Sequence, residues 1–148
     1  SKGNPFWMMS GGLAGIFICA SGLDIWYPGF AFILGVVAGI VIIPANNFLH
    51  NTFKIDDCVG AVSIHGVCGI LGMLVVGLFA AGYPAVGDIP PTTFMGQLLS
   101  AIVMALVGFV PGYGISFIMK KADWLRVPDA VQKAGIDKAE LGLKAYHN

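Results

Sequence analysis

The stretch Asp56-Asp57-Cys58-Val59-Gly60-Ala61-Val62-Ser63-Ile64-His65-Gly66 holds the residues of this 148-residue chain best suited to chemistry. Two carboxylates open a long apolar run, and inside that run sits a single histidine, His65. From Val59 to Gly87 there is no Asp, Glu, Lys or Arg. If a helix starts near Asp57, His65 stands eight residues on, about 12 Å at 1.5 Å per residue. Half the hydrocarbon core of a bilayer is about 15 Å, so the imidazole would lie near mid-membrane. An ionisable group at that depth is costly and by default functional, facing a cavity or the interior of a helix bundle. The competing reading is a structural histidine bonded to a neighbouring helix.

The elements that must carry His65 follow from where charge is missing. Hydrophobic residues make up 57% of the chain and charged ones 11%, far from the soluble mix. No charge falls between Asp24 and Lys54, between Asp57 and Asp88, or between Asp88 and Lys120. The stretches left over predict an all-α, polytopic helical membrane protein with four transmembrane helices, about 5–23, 28–49, 58–83 and 94–119. Residues 1–121 would form the membrane domain and 122–148 a polar cytoplasmic tail. Asp56 and Asp57 would cap the third helix and order the loop before it, opposing the helix dipole. Trp26 and Tyr27 suit a membrane–water interface, as does His50 at a span end.

All eight Lys and Arg residues fall on one side of a four-span arrangement: Lys2, Lys54, Lys120, Lys121, Arg126, Lys133, Lys138 and Lys144. The positive-inside rule then puts both ends of the segment in the cytoplasm. Gly11 and Gly15, Gly35 and Gly39, and Gly108 and Gly112 are each four apart, which permits close backbone approach between helices. Cys19, Cys58 and Cys68 read as small packing residues, with no disulfide framework and no metal-ligand spacing. No nucleophile–base pair argues for an enzyme, and neither a cofactor motif nor a nucleic-acid patch is present.

At these residues the sequence resembles the Amt/Mep/Rh ammonium transporters. Asp56-Asp57, seven residues, His65-Gly66-Val67-Cys68-Gly69-Ile70-Leu71-Gly72 and then Gly77-Leu78-Phe79-Ala80 are similar to that family's tenth helix. Gly35-Val36-Val37-Ala38-Gly39 resembles its ninth. Leu125-Arg126-Val127-Pro128, Gly135-Ile136-Asp137 and Ala145-Tyr146 resemble the cytoplasmic tail of bacterial members. Gly60 stands where the Amt pattern usually has a third acidic residue, which is closer to the Rh branch.

The resemblance implies the last four helices and the tail of a fold of roughly eleven. It implies an ammonium channel or transporter of the cell (inner) membrane, a homotrimer with one apolar pore per subunit. In that pore two histidines on different helices hydrogen-bond, and His65 matches the second of them. Ala61 and Ile64, close in sequence to His65, would wall the conduit. The implied partners are ammonium or ammonia, the lipid bilayer, and the upstream helices on the same or a partner chain. A PII-type signalling protein is implied at the tail, although Leu141-Gly142-Leu143 stands where that tail usually reads His-Gly-Glu. The alternatives are an ammonium sensor of the same fold that signals to a partner, and a structural membrane subunit that conducts nothing.

Overall fold

The computed structural model describes residues 3–80 and 91–136, with Ala139 and Gly142 beyond them. These residues are helical, without strands among those described. The elements are α1 (Pro5–Ala20), α2 (Pro28–Phe48), α3 (Cys68–Phe79), α4 (Phe94–Lys121) and the short α5 (Asp129–Ala134). Two wide π-turns flank the loop before α3: Leu49–Phe53 extends α2, and Val62–Val67 leads into α3.

Local chemistry sets several of these ends. Pro5 and Pro28 open α1 and α2, where the missing amide costs nothing. The Asn4 side chain caps α1 by accepting from the Phe6 N–H at 2.9 Å. Pro44 lies inside α2 and removes one rung of its hydrogen-bond ladder. The chain then leaves the α register into the first π-turn, which ends at Lys54 in a left-handed conformation (φ 56°).

Among the described residues three helices, Pro28–Phe53, Val62–Phe79 and Phe94–Lys121, are long and apolar enough to cross a membrane. The first apolar segment is shorter than the sequence suggested, for α1 ends at Ala20 instead of Leu23. The chain turns sharply there. Gly22 N–H bonds to Cys19 O at 3.0 Å, and Trp26 N–H to Gly22 O at 2.9 Å. The Trp26 indole folds over Gly22, where a Cβ would collide with it. Sixteen residues make about 24 Å of helix, less than the ~30 Å hydrocarbon core. The expected end of the third span at Tyr83 lies outside the described residues.

Ser1–Ala105 and Leu106–Asn148 form two compact units. In the first, buried residues recur every fourth position: Ser10, Ala14 and Ile18 on α1, Leu34, Ala38 and Ile42 on α2, and Cys68, Gly72 and Val76 on α3. This is the narrow stripe of closely packed helices. Glycine makes the approach possible. A Cβ on Gly15 would lie 3.3 Å from the Gly35 Cα, and one on Gly11 3.9 Å from the Gly39 Cα. Gly72 abuts the Ile18 carbonyl with no room for a side chain. In the second unit, the outer part of α4 carries a ladder of rings, Phe109, Tyr113 and Phe117, with centroids 5.6 and 6.4 Å apart. Lys121 Nζ closes it, 4.8 Å from the Phe117 ring centroid.

Candidate functional site

The site is built where α2, the Lys54–Ala61 loop and the second π-turn meet. The third helical segment starts at Val62, later than the position 58 expected from sequence. Gly60 takes a left-handed conformation (φ 71°), and its N–H bonds to Asp57 O at 3.0 Å in a turn. This turn keeps residues 58–60 out of the helix and bends the Asp57 side chain back over its first amides. Asp57 Oδ1 accepts from Val62 N–H at 3.1 Å, and Oδ2 accepts from Ser63 N–H at 2.9 Å and Ser63 Oγ–H at 2.7 Å. Asp56 is exposed. Partial burial pushes the Asp57 carboxyl up in pKa. Hydrogen bonds from the Ser63 amide and hydroxyl and from the Val62 and Ala61 amides outweigh it, and the group is held below the usual carboxylate range.

The bridge to α2 is made by a residue of the preceding helix. Asn46 Nδ2 donates to Ser63 Oγ at 3.1 Å and, more weakly, to the Asp57 carbonyl at 3.4 Å. Ser63 is 0% exposed, so its hydroxyl needs partners inside the protein. It has one on each side.

His65 stands in the first turn of the helical segment, three residues after Val62, about 4.5 Å along it. The late helix start thus replaces the 12 Å expected from a helix beginning at Asp57. His65 is exposed on the chain's surface, and its ring packs on Phe17 of α1 with centroids 4.0 Å apart and planes tilted by 60°. Phe17 lies twelve residues into α1, about 18 Å from its first residue. Ala61 is exposed on the same turn. Ile64 is not brought to that face. It is 2% exposed and belongs to the core with Ala14, Ile18 and Cys68.

At the opposite end of the first unit, Asp24, Trp26, Tyr27, Phe30 and Phe79 border a cavity of about 670 Å³. Trp26 and Phe30 pack with centroids 5.0 Å apart, and Phe30 and Phe79 at 5.4 Å.

A profile of the Ammonium Transporter Family matches residues 1–146. The chain belongs to this family. It is 33% identical to ammonium transporter Amt1 of Methanocaldococcus jannaschii over 147 residues, covering 99% of this chain and 37% of that protein. It is 33% identical to ammonium transporter 1 member 1 of Solanum lycopersicum over 153 residues, 94% of this chain and 31% of that protein. To ammonium transporter Amt1 of Haloferax mediterranei it is 29% identical, over 98% of this chain and 27% of that protein. The chain therefore spans about a third of the length of these curated relatives. They are named as transporters and not as enzymes. No solved structure gives a significant match.

Within this ammonium transporter family segment, three contributors to the site escape a reading of the sequence alone. Phe17 is one aromatic among many in an apolar helix, and no periodic signal marks it as a neighbour of His65. Ser63 carries a faint signal, as a hydroxyl inside an apolar run. Asn46 is half-buried although it sits at a span end, where an amide reads as an interfacial residue. The π-turn around His65 leaves no sequence mark either, though such wide turns occur often at functional sites.

Proposed function

We propose that this segment forms part of an ammonium conduit in which His65 accepts and passes on a proton. The observation that carries this reading is the placing of His65. It is an ionisable side chain on an apolar helix, turned away from the core, held in a wide turn and packed against Phe17. A charge at the bilayer centre costs between about 3 and more than 10 kcal/mol, whereas neutral ammonia carries no such penalty. Passage is therefore easiest where a proton can be left behind. An imidazole suits this role, because one ring nitrogen can accept a proton while the other donates one.

In this reading the exposed face bearing Ala61, His65 and Phe17 is completed by the upstream helices of the same fold, which supply the second histidine. Ile64 supports the conduit from behind. The subunits form a homotrimer in the cell membrane, with the Lys- and Arg-bearing ends on the cytoplasmic side. Ammonium is the substrate, as the relatives' names support.

The test is His65→Leu in the full-length protein, which removes the acceptor and keeps similar bulk. Ammonium-evoked current in liposomes, normalised to folded trimer, should fall tenfold or more, a loss of about 1.4 kcal/mol or above in transition-state stabilisation. His65→Glu should retain part of the flux, because a carboxylate also exchanges a proton. Unchanged normalised current in the Leu variant ends the relay reading.

A further inference from the structure

Ser63 and His65 are separated by one residue and point in opposite directions, one into the α2 interface and the other to the open face. Two steps around a helix turn about 200°, so whatever fixes Ser63 also fixes the direction of His65. Ser63 and Ile64 are both buried in the wide turn, at 0% and 2% exposure. Ile64 leads the spacing of four that continues through Cys68, Gly72 and Val76, while Ser63 lies five residues before Cys68, the repeat of an i→i+5 turn.

A wide turn of this kind needs external support, since it trades α-type hydrogen bonds for less common ones. Here the support is a three-member bridge. Ser63 Oγ donates to Asp57 Oδ2 at 2.7 Å and accepts from Asn46 Nδ2 at 3.1 Å. A hydroxyl offers one donor and two acceptor sites, so Ser63 is satisfied from both sides while completely enclosed. Asp57 also holds the first amides of the turn, those of Val62 and Ser63. Asn46 is delivered to this point by α2, two residues after Pro44 and shortly before the first π-turn.

We infer that Asn46 and Ser63 are positioning residues for the proton relay: their side-chain bridge from α2 locks the π-turn and so sets the angle at which His65 meets Phe17 and the conduit. This rests on the reading of His65 as the relay group. Without the bridge the turn can relax to ordinary α-helix. Because a π-turn holds one extra residue, that relaxation would rotate the residues before Cys68 by up to about 100° relative to the core stripe. Asn46 and Ser63 touch no substrate in this scheme. They act through the direction of the imidazole.

The experiment uses the full-length protein in liposomes with Asn46→Ala, Ser63→Ala, the double variant, Ser63→Thr and His65→Leu. Each is read by ammonium-evoked current per folded trimer, by the half-saturating ammonium concentration, and by the ring ¹⁵N signals of His65 in histidine-labelled protein. Asn46→Ala and Ser63→Ala should each lower maximal current about fivefold or more and move the His65 ring signals, at unchanged half-saturation. The double variant should lose no more than the worse single one, because both break the same bridge. Ser63→Thr, which keeps the hydroxyl, should keep most of the current. If Ser63→Ala does not fold, Asn46→Ala on the other helix gives the same comparison. Unchanged current and unchanged ring signals in Asn46→Ala, with His65→Leu still inactive, overturn the inference. If His65→Leu conducts normally, it is the relay reading that fails, and the ring signals alone decide whether the bridge orients the imidazole.

Discussion

Two parts of this chain use the same small-residue spacing to different ends. On α1 and α2, Gly11 and Gly15 lie against Gly39 and Gly35, backbone to backbone, and Gly72 of α3 meets the Ile18 carbonyl of α1. In the second unit, Gly108 and Gly112 of α4 have the same separation, yet among the described residues of that unit nothing lies within 4 Å of where their side chains would begin. Around them Phe109, Val110, Tyr113 and Phe117 are all exposed. In the first region glycine creates a contact, and in the second it leaves one open. The lesson is that a four-residue glycine spacing permits close packing without naming the partner. What decides is whether another backbone of the same chain is delivered to that face.

The comparison can be broken most severely at Gly72. Any side chain there must push against a carbonyl oxygen of α1, which is backbone and cannot swing aside. Gly72→Val should abolish folded protein, and Gly72→Ala should cost about 1–3 kcal/mol, read as a lower melting temperature in detergent. An unchanged melting temperature for Gly72→Ala would falsify the α1–α3 seam. The relay variant His65→Leu tests the opposite property of the same region. It should leave melting nearly unchanged while current falls tenfold or more, so an equal loss of both would make His65 a packing residue.

A smaller effect is expected at the polar foot of the seam. Asp57 caps the turn with its carboxylate, and its pKa is depressed in the folded state. The stability it contributes is complete above the unfolded carboxylate value near 3.8 and is lost as pH falls through the lower folded value. Asp57→Asn should therefore cost about 1 kcal/mol near neutral pH, as losing a helix cap does, and flatten the acid limb of a stability–pH profile. An acid limb identical to that of the unaltered protein would remove Asp57 from the account. The smallest effects sharpen the contrast itself. Gly15→Ala should destabilise by about 0.5–1 kcal/mol, because the 3.3 Å approach to Gly35 outweighs the gain in helix propensity. Gly108→Ala should be neutral or stabilising by up to about 1 kcal/mol. A loss at Gly108 equal to that at Gly15 would show that a further surface packs on α4.

What could be read directly from the residue order is whatever depends on composition and near neighbours. Charge-free stretches of span length announce helices, because a backbone in hydrocarbon must satisfy its own hydrogen bonds. Asn4 and Pro5 announce the start of α1, and the isolation of His65 among apolar residues marks it as the group to explain. The Gly11/Gly15 and Gly35/Gly39 pairs announce close packing. The match of residues 1–146 to the ammonium transporter family is likewise carried by sequence alone.

Other features were settled only when the chain was folded. The helix begins at Val62 and not near Asp57 because Gly60 turns left-handed, a choice that a glycine permits but does not impose. Ile64 faces the core while His65 and Ala61 face outward. These helices are apolar on nearly every side, so hydrophobic periodicity cannot say which face is buried. The Phe17 contact with His65 and the Asn46–Ser63 bridge join residues 48 and 17 positions apart. Such pairs exist only because glycine brings α1 against α2 and α3, and no short window of sequence contains both partners.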